Sequence, residues 1–219
     1  MSDTFAAFQQ LGRTFYRGTT PVVALRDATA SVQVGDRIAV VGPSGCGKST
    51  LLQLLGGLDT PSAGQITWPA LGDRDSLLPR HIGFVFQTQS LLAPLSVLEN
   101  VAIPLLLAGE TGEAARVRAL EILAQLDLEA IADKLPEEIS GGQAQRVAVA
   151  RALVGRPGLI LADEPSGQLD HPTARHLFDT LLASLAGRET ALVVATHDRA
   201  IAERLPILWR MHHGSLEVA

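Results

Sequence analysis

"RIAVVGPSGCGKSTLLQLL", residues 37–55, decides the fold of this 219-residue chain. Its opening "RIAVV" has the continuous apolar character of a buried strand. The glycine-rich turn "GPSGCGKST" (Gly42–Thr50) follows, and a helix pattern runs from Lys48 to Leu55. Strand, loop and helix in this order are the context that G-x-x-x-x-G-K-[ST] requires. Glycines let backbone N–H groups close around phosphate oxygens, and the helix N-terminus adds a favourable dipole. The candidate phosphate-binding set is therefore Gly42, Ser44, Gly45, Cys46, Gly47, Lys48, Ser49 and Thr50. Lys48 is placed to reach the β- and γ-phosphates of a nucleoside triphosphate, and the Ser49 hydroxyl to ligate Mg²⁺.

Further strand-like runs flank this unit: "IGFVFQ" (82–87), "GLILAD" (158–163), "TALVVAT" (190–196) and "PILWRM" (206–211). Between the later ones lie helix patterns over His171–Ala186 and Asp198–Leu205. Such alternation predicts an α/β fold with a mostly parallel sheet and a ligand site at the strand C-termini. Residues 96–154 hold no strand pattern. Val117, Leu120, Leu123 and Leu126 recur there at helical spacing, and Pro104 is expected to kink or end an earlier helix. The expected organisation is one domain over 1–219, with a core from 1–87 and 155–219 and an inserted helical lobe at 88–154. In the first thirty-odd residues "VVAL" and "ASVQV" read as short strands joined by turns, a small antiparallel sheet beside the main one.

Composition narrows the class. At this length about 70% of the unfolded surface is buried on folding without disulfides, and the one cysteine, Cys46, has no internal partner. A net charge of -5 and the lack of a Lys/Arg block argue against a nucleic-acid partner. The N-terminal "MSDTFAAFQQ" lacks the basic and apolar regions of a signal peptide, and "VAIPLLLAG" (101–109) is too short to span a bilayer. A cytoplasmic location is expected. The chain is still 47% hydrophobic with mean hydropathy +0.22, which suits buried parallel strands and a partner surface.

Two further motifs carry chemistry. "LILADEP" (159–165) ends a buried strand with adjacent acids, whose side chains point to opposite sides. Asp163 suits Mg²⁺ through its water shell, and Glu164 suits polarising a water in line with the γ-phosphate. Taken alone, both acids also fit capping of the following turn. "ISGGQ" (139–143) starts a helix pattern, with Ser140 as N-cap and Gly141 and Gly142 offering N–H groups to an anion, or simply forming a turn.

Together these motifs resemble the ATPase subunit of an ATP-binding cassette (ABC) transporter over essentially the whole chain. The family's parts stand in order: the phosphate loop, Gln87 ending "FVFQ", the signature "ISGGQ", "LILADEP", "SGQLD" (166–170) and His197 in "ATHD". The resemblance implies the P-loop NTPase ABC fold and Mg²⁺-ATP hydrolysis. It also implies a head-to-tail homodimer in which each nucleotide lies between one chain's phosphate loop and its partner's Ser140, Gly141, Gly142 and Gln143. Tyr16 is implied to stack on adenine, Gln87 to sense metal and water, His197 to touch the γ-phosphate and align Glu164, and Asp170 to meet the opposite subunit. His212 and His213 lack metal-ligand company and read as solvated turn residues. Departures are Ile139 for leucine and Gln168 for asparagine. Cys46 inside the loop predicts that a thiol adduct blocks the phosphates.

"LLGGLDTPSAG", "IGFVFQ" and "LSVLENVAIPLLLAG" are most similar to the branch that powers lipoprotein release, macrolide export and antimicrobial-peptide resistance. That branch implies a separate membrane permease docking near Gln87 and the lobe at 88–138, with the cassette peripheral on the cytoplasmic face of the inner membrane. The segment from Gly64 to Ile82 is shorter than usual there and lacks its "dG" turn. A regulatory ATPase that transmits force through a permease-like partner fits the same residues. Non-transporting repair and translation relatives carry coiled-coil insertions or paired cassettes, which this chain lacks.

Overall fold

The computed structural model describes residues 3–88, 90–167 and 169–218, so Gln168 lies outside the described residues. A six-stranded sheet has the order β5-β6-β7-β3-β8-β9. It is built from β3 (Arg37–Val41), β5 (Ile82–Val85), β6 (Leu159–Asp163), β7 (Ala191–Thr196), β8 (Ile207–His212) and β9 (Ser215–Val218). All pairings are parallel except β8 with β9. Side chains alternate between two cores, as a strand period of two demands. Ile38 and Val40 join Leu159, Leu161, Val193 and Trp209 on one side. Ala39, Ile160, Ala162 and Val194 pack on the other. Continuous apolar runs are thus strands covered on both faces.

The first face is covered by helix α1 (Lys48–Leu55) and by a three-stranded antiparallel sheet. In α1, Leu51, Leu52, Leu54 and Leu55 are fully buried, each contributing about 1.5–3 kcal/mol of transfer free energy. The expected antiparallel sheet is present, but its strands are longer than the sequence predicts. Two 14-residue strands, β1 (Thr4–Arg17) and β2 (Thr20–Gln33), form one long hairpin, with β4 (Ala63–Thr67) on the other side of β1. "VVAL" and "ASVQV" belong to a single strand. The apparent breaks are register shifts, with Gln10 and Asp27 in left-handed backbone geometry; a bulge kinks a strand without ending it.

The other face carries the helical region: α2 (Val97–Leu107), α3 (Gly112–Gln125) and α4 (Gly141–Leu153). Helices α5 (His171–Ser184) and α6 (Arg199–Ala202) complete that face. Ser96 and Glu99 form a capping box at the start of α2. Pro104 does not end α2, which continues to Leu107. Leu105, one residue beyond the proline, is buried, and that burial offsets part of the roughly 3 kcal/mol penalty of an interior proline. The apolar face of α3 also differs in phase. Ala115, Ala119, Ile122 and Leu123 are buried, whereas Val117 and Leu120 are 47% and 36% exposed. Small residues at 115 and 119 allow close helix approach, so size alone misplaces the stripe. Helix α6 is shorter than the expected 198–205, and Pro206 lies just beyond the turn that follows it.

Candidate active site

Parallel register brings the functional strand ends to one edge. Val41 pairs with Thr196, and Asp163 with Ala195. The phosphate loop after β3, the acids ending β6 and His197 after β7 therefore converge, at the carboxyl ends where open α/β sheets bind ligands. Gly47 has φ 109°, and a Cβ there would lie 2.2 Å from the Ala24 carbonyl oxygen. Only glycine lets β2 back the loop so closely. The Gly214 N–H donates to the Cys46 carbonyl at 3.1 Å, bracing the loop from the β8–β9 turn. Sequence reasoning missed both supports, whose sole local signal is the glycine at 47.

Lys48 is buried, 5% exposed. Its ammonium donates to the carbonyls of Gly42 (2.9 Å) and Pro43 (3.4 Å) and stands 3.5 Å from Glu164 Oε1. Two carbonyls and a carboxylate oxygen thus surround the ammonium, partners that incoming phosphate oxygens can replace. Glu164 has φ 45°, uncommon for a non-glycine residue and concentrated at functional sites. Its N–H donates to the Ala195 carbonyl at 2.9 Å, its carbonyl accepts from Gly167, and its Oε2 is paired with His197 Nδ1. One carboxylate oxygen therefore faces Lys48 and the other His197.

Asp163 is 6% exposed, and its Oδ1 has no hydrogen-bond partner. Burial raises its pKa above the usual carboxylate value of 3.8, and the Glu164 charge adds to the rise. The Ser49 side-chain hydrogen bond and the Lys48 charge oppose it. An orphaned buried carboxylate oxygen beside a serine hydroxyl is the donor set a hard divalent cation takes, directly or through water.

Gln87 is exposed, two residues beyond β5, and no hydrogen bond joins it to Lys48, Ser49, Asp163 or Glu164 among the described residues. Tyr16 is 73% exposed near the tip of the β1–β2 hairpin, opposite Pro21. Ser44 and Gly45 are exposed, while Ser49 and Thr50 are half-buried in the first turn of α1. Ser140 caps α4 in a capping box with Gln143, accepting from its N–H at 3.2 Å, and α4 starts at Gly141. Gly142 is half-buried, close to the Thr173 side chain. Asp170 caps α5 at Thr173. Cys46 is 6% exposed and packs in the core beneath the loop. His212 ends β8, His213 forms the turn, and both are exposed.

A glycine-rich phosphate loop at the sheet's carboxyl edge, with paired acids at the end of β6, one strand removed across β7, defines a P-loop nucleotide hydrolase. Residues 25–167 match the ABC transporter family. The chain is 44% identical to the lipoprotein-releasing system ATP-binding protein LolD of Legionella pneumophila (strain Paris), over 99% of this chain and 98% of that one. It is 45% identical to the LolD of Chromohalobacter salexigens, over 94% and 90%. Among solved structures, the bacterial ABC transporter cassette MJ0796, a dimer, superposes with TM-score 0.88 at 37% identity, covering 97% of this chain and 96% of that one. A dimer of the same cassette in a post-hydrolysis state with ADP and Pi gives TM-score 0.87 at 36% identity, covering 97% and 96%. The chain belongs to the ABC transporter family, as an ATP-binding subunit that hydrolyses ATP.

Proposed function

We infer that this cassette hydrolyses ATP at sites shared by two copies of the chain and drives a membrane permease of the lipoprotein-releasing kind. The observation that carries the reading is the cluster Lys48–Glu164–His197 beside the unpartnered Asp163 oxygen. Backbone N–H groups of the loop and Lys48 hold the triphosphate. Ser49, Asp163 and Gln87 would hold Mg²⁺, which supplies neutralisation of charge on the β- and γ-phosphate oxygens. Glu164 orients and polarises the attacking water, and its His197 neighbour fixes the carboxylate's rotamer while reaching toward the γ-phosphate. Tyr16, exposed on the hairpin, stacks on adenine. Ser140, Gly141, Gly142 and Gln143 of a second copy close over the γ-phosphate, a role for which an exposed helix N-terminus is suited.

The permease reading is supported by a groove of about 280 Å³ between the core and the helical region, lined by Phe84, Phe86, Leu92, Ile103 and Leu107 among others. An apolar groove of this kind takes a partner helix. No helix of the described residues is long and apolar enough to cross a membrane, which fits a peripheral position on the cytoplasmic face of the inner membrane. The names of the LolD relatives favour lipoprotein release over a purely regulatory role. Turnover per chain, measured against protein concentration in Mg²⁺ and in EDTA, tests the shared site. It should rise with concentration and vanish in EDTA; a concentration-independent turnover from a monomeric species would contradict it.

A further inference from the structure

Arg151, in the last turns of α4, makes a contact that the reaction as described does not use. Its guanidinium donates from Nη1 to the Ser90 carbonyl at 2.8 Å and from Nη2 to the Ser90 hydroxyl. A planar fork that grips one residue by backbone and side chain fixes its orientation as well as its place, which an ammonium cannot do. Burial alone depresses the basicity of Arg151, with no charged neighbour contributing. A desolvated cation with no ion-pair partner among the described residues is a costly strut, so the geometry it enforces calls for a reason.

Ser90 stands three residues after Gln87, within about 10 Å of chain. The far end of the same segment is also pinned. The fully buried Asn100 of α2 accepts from the Leu92 N–H at 2.7 Å and donates to the carbonyls of Leu92 (3.1 Å) and Leu95 (2.9 Å). Helix α4 is itself seated firmly on the sheet: a Cβ at Gly83 of β5 would meet the Ala152 carbonyl oxygen at 2.2 Å, so the approach needs glycine. From that seat α4 runs about 18 Å to its N-cap, Ser140. One rigid helix thus carries the signature at one end and grips the Gln87 segment at the other.

We propose that Arg151 is a positioning residue: by holding Ser90 it sets where Gln87 lies relative to Asp163 and Glu164, and ties that placement to the orientation of the signature helix. The inference rests on the role given to Gln87 above. Among the described residues the hydrogen bonds of the Arg151 guanidinium go to Ser90 and not to the phosphate loop, so its loss should slow turnover and spare ATP affinity.

The test compares kcat, KM for ATP and melting temperature in Arg151→Met, Arg151→Lys, Ser90→Ala, the Arg151→Met/Ser90→Ala pair and Gln87→Ala. Arg151→Met should lower kcat about tenfold or more with KM within about twofold, as misplacement of a site group does. Arg151→Lys should recover little of that loss, and Ser90→Ala, which keeps the carbonyl acceptor, should lose less. The double variant should be no worse than Arg151→Met, since both remove one contact. Full turnover in Arg151→Met, or losses that add and follow the melting temperature, would overturn the proposal. Should Arg151→Met fail to fold, Ser90→Ala at a half-buried position decides: a lowered kcat at unchanged KM supports the coupling, and an unchanged kcat refutes it. A loss in Gln87→Ala with none in the Arg151 and Ser90 variants removes this inference alone, whereas full turnover in Gln87→Ala removes the reading of Gln87 and this inference with it.

Discussion

Replacing Asp163 by asparagine is expected to stabilise the metal-free, nucleotide-free protein while abolishing turnover. The carboxylate is 6% exposed with one oxygen unpartnered, and burial is the largest influence on its acidity, raising its pKa above 3.8. The folded protein therefore holds this proton more tightly than the unfolded chain does. The stability linked to it is complete below about pH 3.8 and is lost as pH rises through the raised folded value. At neutral pH the ionised side chain is a net burden that asparagine, with no charge to desolvate, lacks. An orphaned buried polar group costs about 1–3 kcal/mol, and more when charged. A gain of about 1–3 kcal/mol corresponds to about 2–12 °C in melting temperature at this chain length. Melting curves in EDTA near neutral pH should show the variant above the parent, with the gap closing toward about pH 4. With Mg²⁺ and ATP the order should reverse, because only the carboxylate gains from the cation. A variant that melts lower in EDTA at neutral pH, or a gap independent of pH, would refute the assignment of the orphan oxygen as a stored cost released on metal binding.

Gly47→Ala places a methyl group 2.2 Å from the Ala24 carbonyl oxygen at φ 109°; ATP binding measured by titration should be lost, while a variant that binds normally would show that the loop tolerates the shift. Cys46 should react with a bulky maleimide far more slowly than an exposed thiol, since it is 6% exposed, and bound ATP should slow it further; rapid modification unaffected by ATP would contradict its place under the loop. Tyr16→Ala should weaken ATP binding by about 0.5–1.5 kcal/mol, roughly two- to tenfold, if its ring stacks on adenine; equal affinity for ATP in parent and variant would remove it from the site.

Much of the site was legible because its parts are local. A phosphate loop needs a strand, glycines and a helix in immediate succession, and residues 37–55 supply all three. The N-cap role of Ser140 was readable for the same reason: Gln143 sits three residues on and completes a capping box. What escaped depended on contacts distant in sequence. In the sequence the long β1–β2 hairpin reads as separate strands because its bulges at Gln10 and Asp27 look like turns until the partner strand is in place. The α3 stripe was misplaced because Ala115 and Ala119 are buried by α2 packing, not by their own hydrophobicity. Cys46 lies in a motif that binds phosphate through its backbone, and the sequence does not say which way a single side chain turns. The Arg151–Ser90 contact spans 61 positions and has no local signature.

The central claim is that two chains complete each ATP site, one through Lys48 and Glu164 and its partner through Ser140–Gln143. The most direct measurement is the solution mass of Glu164→Gln with and without Mg²⁺-ATP. Loss of the carboxylate that polarises water should preserve binding and trap the sandwich, so a monomer should become a dimer only when Mg²⁺-ATP is added, and Ser140→Arg in the same background should stay monomeric. A Glu164→Gln protein that binds Mg²⁺-ATP tightly yet remains a monomer at every concentration would contradict the shared site.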